Sequence, residues 1–89
     1  MLGLLVTYDP DVDVLYVSLR EREPGEITDH TVELDESRFV HYDARDEPLG
    51  VEFLWASDGV NVDGVPESDA IVAAMRAFRQ VPTPSPAAR

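Results

Sequence analysis

An apolar period of two runs through most of the chain between Leu4 and Trp55, and this feature narrows the fold most. Alternation at every second residue sends successive side chains to opposite faces, which is the pattern of strands. Residues 4–8 read as a first strand, stopped by Asp9-Pro10-Asp11, where proline pre-sets a turn dihedral. Residues 14–20 read as a second. Leu15, Val17 and Leu19 share one of its faces, and Val14, Tyr16 and Ser18 the other. Residues 27–34 alternate less cleanly: Val32 and Leu34 are in phase and Ile27 is not, which predicts a bulge or bend. A turn at Asp35-Glu36-Ser37 precedes a fourth strand over residues 39–42. Residues 43–48 then close a hairpin onto residues 49–55, where Leu49, Val51, Phe53 and Trp55 share a face.

The period changes after that. Pro66-Glu67-Ser68-Asp69 is a helix-start signal, with acids in the first turn where the macrodipole favours them. Ala70, Ile71, Ala74, Met75 and Phe78 recur at helical spacing, and Arg76 and Arg79 sit at the end that favours cations. The spacing predicts a helix over residues 67–80 that covers one sheet face. The expected fold is therefore α+β: a five-stranded, mainly antiparallel β-meander with one C-terminal helix packed on a sheet face. Residues 82–89 hold three prolines and no large apolar side chain, so they bury too little to offset chain entropy. One domain over residues 1–81 and a disordered Pro-rich tail over 82–89 are expected.

Composition excludes several functions. Seven Arg and no Lys stand against 18 Asp plus Glu, a formal charge of −11. Binding to nucleic acid draws on Lys and Arg displacing counterions, so a phosphate backbone is not an expected partner. An anionic membrane surface is disfavoured for the same reason, and no apolar run approaches the length of a membrane span. The short apolar opening lacks the basic flank and cleavage site of a signal peptide, so a cytoplasmic, bacterial-type protein is expected. Without Cys there is no disulfide framework, thiolate nucleophile or Cys-based zinc site.

Candidate chemistry is sparse. Asp9, Asp11 and Asp13 alternate like the start of a calcium loop, but Val14 and Arg20 stand where its Gly and bidentate Glu belong. Solvated turn carboxylates are the better account, with Asp13 bonding backbone amides. His30 and His41 fall on the third and fourth strands, and pairing of those strands would make them cross-strand neighbours near Asp29 or Asp43. They are weak metal candidates, since ligation takes three or four convergent groups and no His-x-His spacing occurs. No Ser lies in a Gly-x-Ser-x-Gly elbow, and the acids of residues 58–64 spoil a phosphate cradle. No enzyme activity and no cofactor are expected.

A single sheet has two faces and one helix covers only one. The second would present Val14, Tyr16, Tyr42 and Leu54, and a two-fold homodimer burying that face is the expected resolution. The acidic surface or a free sheet edge would instead receive a basic protein, with Asp9, Asp11, Asp13, Asp43, Asp46 and Glu47 as contact charges.

The run Tyr8-Asp-Pro-Asp-Val-Asp-Val-Leu-Tyr-Val-Ser-Leu19 resembles the opening of a family of small bacterial proteins, domain-of-unknown-function family 2283. That pattern opens on Tyr-Asp-Pro and an acid, continues Ala-Asp-Ala-Leu-Tyr-Ile, and later carries an aspartate-rich hairpin and Gly-Ile-Glu-Ile-Leu before Ala-Ser. His41-Tyr42-Asp43 and the run from Leu49 through Gly50, Val51, Glu52, Phe53, Leu54, Trp55 and Ala56 to Ser57 occupy those places. Val12 and Val14 replace the usual alanines, and Glu47-Pro48 replaces the usual Asp-Gly turn. The resemblance implies no catalytic residues. Similarity to neighbours of small toxin genes implies an antitoxin-like role, which acidity fits because ribonuclease toxins are commonly basic.

Overall fold

A computed structural model describes residues 4–78. Strands β1 (Leu5–Asp9), β2 (Val14–Ser18), β3 (His30–Asp35), β4 (Arg38–Tyr42) and β5 (Pro48–Leu54) form one antiparallel sheet in the order β1-β2-β5-β4-β3. A 3-10 turn (Ala56–Asp58) and helix α1 (Ser68–Ala77) follow. This is the expected meander-like sheet with a C-terminal helix on one face. The one long connection between strands, residues 19–29, carries the chain to the far edge, so β5 returns between β4 and β2.

The period-two pattern is strongest where both neighbours are strands. Leu15 and Val17 of β2 and Leu49, Val51 and Phe53 of β5 are buried, and with Val6 and Val40 they form the floor of the core. Ile71 and Met75 of α1 close over that floor together with Ala56 and Val65. A fully buried Ile or Met contributes about 1.5–3 kcal/mol, so these two side chains fix the helix.

Four details differ from the sequence pattern. Ile27 lies outside any strand and is exposed, and the irregularity falls instead between Glu33 and Asp35 in β3. Trp55 does not continue the face of Leu49, Val51 and Phe53. Its backbone is left-handed (φ 54°), which turns the chain out of β5, exposes the indole and drops Ala56 into the core. Helix α1 starts after Glu67, which is itself left-handed, and ends at Ala77, because Phe78 is already extended. Every residue of β3 is exposed, since β3 is an edge and α1 packs on the β1 side. The end of the expected helix at Gln80, the domain end at residue 81 and the tail over 82–89 lie outside the described residues.

Candidate functional site

The acids of the first turn have distinct duties. Asp13 adopts a left-handed conformation (φ 59°) that aims its carboxylate across the sheet end. The Tyr8 hydroxyl donates to its Oδ1 at 2.7 Å, the Ser57 amide to the same oxygen at 2.9 Å, and the Ser57 hydroxyl to Oδ2 at 2.6 Å. The Ala56 amide donates to the Asp13 carbonyl. Asp13 thus ties the β1–β2 turn to the end of β5, and it raises the Tyr8 hydroxyl pKa by accepting a hydrogen bond from its protonated form. Asp9 accepts the Asp11 amide at 3.0 Å, a local turn bond, and both side chains are exposed.

Asp43 is buried at 2% exposure. Its Oδ1 accepts the amides of Arg45 and Glu47, and its Oδ2 accepts the Arg20 guanidinium at 2.8 Å. The Glu47 amide and then Arg20 pull its pKa down to about 2. Glu26 forks onto the same Arg20 and is likewise held at about 2, by Arg20 first and the Glu23 amide second. The six acids expected to meet a partner therefore form no single patch. Asp9, Asp11 and Asp13 stand at one end of the strands, and Asp43, Asp46 and Glu47 at the other. At about 3.3 Å per residue the two groups lie roughly 15–20 Å apart.

Register also separates the histidines. Thr31 pairs with His41 and His30 with Tyr42, so β3 and β4 do pair, but the two imidazoles lie on opposite faces. His30 stacks on Tyr42 at a centroid distance of 5.1 Å and lies 2.8 Å from Asp29 and 2.9 Å from Asp46. The hydrogen bond with Asp29 raises its pKa most, desolvation opposes it, and Asp46 adds a smaller upward push. The imidazolium is thus favoured, and its stabilisation is full below the ordinary value of 6.5 and lost as pH rises through the folded value. In an NMR titration the His30 ring should titrate above that ordinary value, and Asp29→Asn should bring it back down. An unmoved midpoint in the variant would contradict the pairing. Among the described residues no three His, Asp or Glu side chains gather as a metal group.

His41 belongs to the uncovered face. Cross-strand pairing lines up Thr7, Tyr16, Glu52, Phe39 and Glu33 in one row over the five strands, and Leu5, Ser18, Gly50, His41 and Thr31 in the next. Gly50 leaves a gap in the second row. The Tyr16 ring lies over it, where a Cβ would collide with the ring and its hydroxyl. His41 sits 5.8 Å from that ring by centroid, with Nδ1 2.8 Å from the Thr31 hydroxyl and Nε2 3.0 Å from Glu52. Arg22 reaches in from the long connection and donates to the Tyr16 hydroxyl at 3.3 Å and to Thr28 at 3.1 Å. The face thus carries Glu52 on the central strand between Tyr16 and Phe39, with His41 beside it, continued by half-buried Val14 and Leu54, and has Asp9 and Glu33 on its two edge strands.

Of this face the sequence pattern located Tyr16, Val14 and Leu54. Tyr42, expected there, packs against the core side instead, because a register shift between His41 and Tyr42 and the alternation of β4 send it under the sheet. Phe39 and Glu52 were legible only through the alternation of β4 and β5, and Thr31 only through the register of β3.

No helix among the described residues is long and apolar enough to cross a membrane. No curated protein and no solved structure matches the chain. A family model described as a protein of unknown function, DUF2283, matches residues 5–57, which take in all five strands, the Asp13–Ser57 tie and the Tyr16–Gly50 contact. The chain belongs to the DUF2283 family.

Proposed function

We propose that this chain is a non-catalytic protein–protein interaction module whose uncovered sheet face receives a basic protein. Its sharpest form is an antitoxin-like neutraliser of a small basic toxin in the cytoplasm of a bacterium. The observation that carries the reading is the make-up of that face: half-exposed Tyr16, Phe39 and His41 grouped about the carboxylate of Glu52, with Asp9 and Glu33 on the edge strands. Binding surfaces concentrate energy in a few central aromatics, while rim charges steer encounter and select partners. A net charge of −11 selects a cationic partner. Asp9, Asp11, Asp46 and Glu47 are exposed and serve as steering charges, whereas Asp13 and Asp43 serve the fold.

Capture from extracts of the source cells tests this with three baits: the natural chain, Phe39→Glu, and a variant with Asp9, Asp11 and Asp46 changed to Asn and Glu47 to Gln. The natural chain should retain a basic protein, Phe39→Glu should lose it, and the neutralised variant should lose most of it at low salt. Equal retention by all three, or retention of no basic protein, overturns the reading.

A further inference from the structure

Across β2, β5, β4 and β3 the uncovered face carries one row in which aromatic and acid alternate: Tyr16, Glu52, Phe39 and Glu33. At a strand spacing of about 4.8 Å the positions of Tyr16 and Phe39 are roughly 10 Å apart, with Glu52 between them. The two acids of the row differ in setting. Glu33 stands on the edge strand and is exposed. The Glu52 side chain is 32% exposed, flanked by Tyr16 and Phe39 along the row and by His41 from the next.

The two oxygens of that carboxylate are used unequally. Oε1 lies 3.0 Å from the His41 Nε2, whereas Oε2 has no hydrogen-bond partner among the described residues. Arg22 reaches the same face but donates to the Tyr16 hydroxyl and to Thr28, not to Glu52. Any partner that settles on Tyr16 and Phe39 takes Oε2 out of water. A carboxylate oxygen desolvated without a donor costs more than the apolar contact beside it returns. The partner therefore has to set a donor over Glu52, and a charged donor makes the strongest bond.

We infer that the anchor on this face is an arginine side chain of the basic partner, its guanidinium seated on Glu52 between Tyr16 and Phe39. The inference rests on the reading of this face as the site of a basic protein, and it names the side chain that the face selects. Arginine fits better than lysine for three reasons. Its guanidinium is planar and stacks on aromatic rings, of which Glu52 has one on either side. It is weakly hydrated, so it loses less than an ammonium on entering a half-buried site. Its five donors form a fork, so one can reach Oε2 while the others stay in water or meet the partner's own acceptors. A lysine ammonium would make the ion pair without the stacking, and a neutral or anionic group would leave the carboxylate uncompensated. Exposed Glu33, beyond Phe39 in the row, attracts a second cation without selecting its shape.

Calorimetry and NMR of the full chain with blocked tetra-arginine and blocked tetra-lysine peptides test the inference. The proteins are the natural chain, Glu52→Gln, Phe39→Leu, and the variant neutralised at Asp9, Asp11, Asp46 and Glu47. The peptides carry equal charge, so the net −11 attracts them alike and any difference between them reads the site. Tetra-arginine should bind the natural chain about tenfold more tightly, the order expected of a stacked guanidinium, and should shift the signals of Tyr16, Phe39 and His41. Glu52→Gln and Phe39→Leu should each erase most of that preference, and the neutralised variant should weaken both peptides while keeping it. Both site residues are half-buried and both replacements keep the side chain's size, so the variants should fold, which unmoved core signals of Phe53 and Met75 check. Equal affinity for the two peptides, a preference kept by both site variants, or no shift at Tyr16, Phe39 and His41 overturns the inference. Capture of a basic protein fails separately. A basic protein retained by the natural chain and lost by Phe39→Glu, together with equal peptide affinities, removes the arginine and keeps the interaction module. An arginine preference through Glu52 with no basic protein retained keeps the arginine site and removes the protein partner.

Discussion

Replacing Gly50 by Ala is expected to destabilise the domain by about 1–3 kcal/mol, the range for forcing extra atoms into a packed site. Gly50 lies in β5 between β2 and β4, so its backbone cannot retreat. The added Cβ would meet the ring and hydroxyl of Tyr16, which must then swing away and lose its contacts with the His41 ring and Arg22. The same substitution made in a Tyr16→Ala background should cost far less, since Ala is otherwise a better strand residue than Gly. Urea unfolding of the four proteins gives the coupling directly. Equal cost in both backgrounds would mean that Tyr16 does not rest on Gly50. Because Tyr16 is central to the uncovered face, Gly50→Ala should also weaken capture of the basic partner, as Phe39→Glu does.

Acid should unfold the domain through the Arg20 cluster. Asp43 and Glu26 are held at about 2, against ordinary values of 3.8 and 4.5. Carboxylates with depressed pKa values stabilise the fold fully above their ordinary values, and that stabilisation is lost as pH falls through the folded values. The part of the urea midpoint that this cluster supplies should therefore be level above about pH 5 and fall between about pH 4 and 2, apart from the separate loss above pH 6.5 that His30 brings. Arg20→Met should remove most of the Glu26 share of this decline, because Arg20 is the larger cause there. It should spare more of the Asp43 share, where the Glu47 amide comes first. Asp43→Asn, which cannot accept three donors with a full charge, should lower the midpoint even at neutral pH. A pH profile identical in all three proteins would contradict the cluster's role.

The strands were legible in the sequence where a strand has neighbours along both edges and the core on one face, as in β2 and β5, whose core-side residues are shielded from water and whose alternate residues are not. They blurred at β3, where the edge position and distant helix leave all six residues exposed and no alternation is demanded. Strand order was not legible, because the pairing of β5 with β2 depends on where the connection over residues 19–29 goes rather than on either strand. Trp55 broke its pattern because a left-handed backbone follows from the tie of Ala56 and Ser57 to Asp13, a contact spanning 44 residues. The same distance hid Asp13, whose carboxylate bonds more than the turn amides expected of it. Asp43 reads as one more surface acid until the hairpin amides close around it. A shift of one residue decides whether His30 and His41 meet, and no sequence pattern resolves that. Yet the residues that carry the family resemblance were a usable signal: Tyr8, Asp13 and Ser57 are one hydrogen-bonded tie, and Tyr16 with Gly50 is one close contact.

The central claim is that the uncovered face binds, and side-chain NMR of the labelled chain tests it most directly. On addition of the captured basic protein, the aromatic signals of Tyr16, Phe39 and His41 should shift while the core signals of Phe53 and Met75 hold their positions. Tight binding that leaves Tyr16, Phe39 and His41 unmoved would contradict the account.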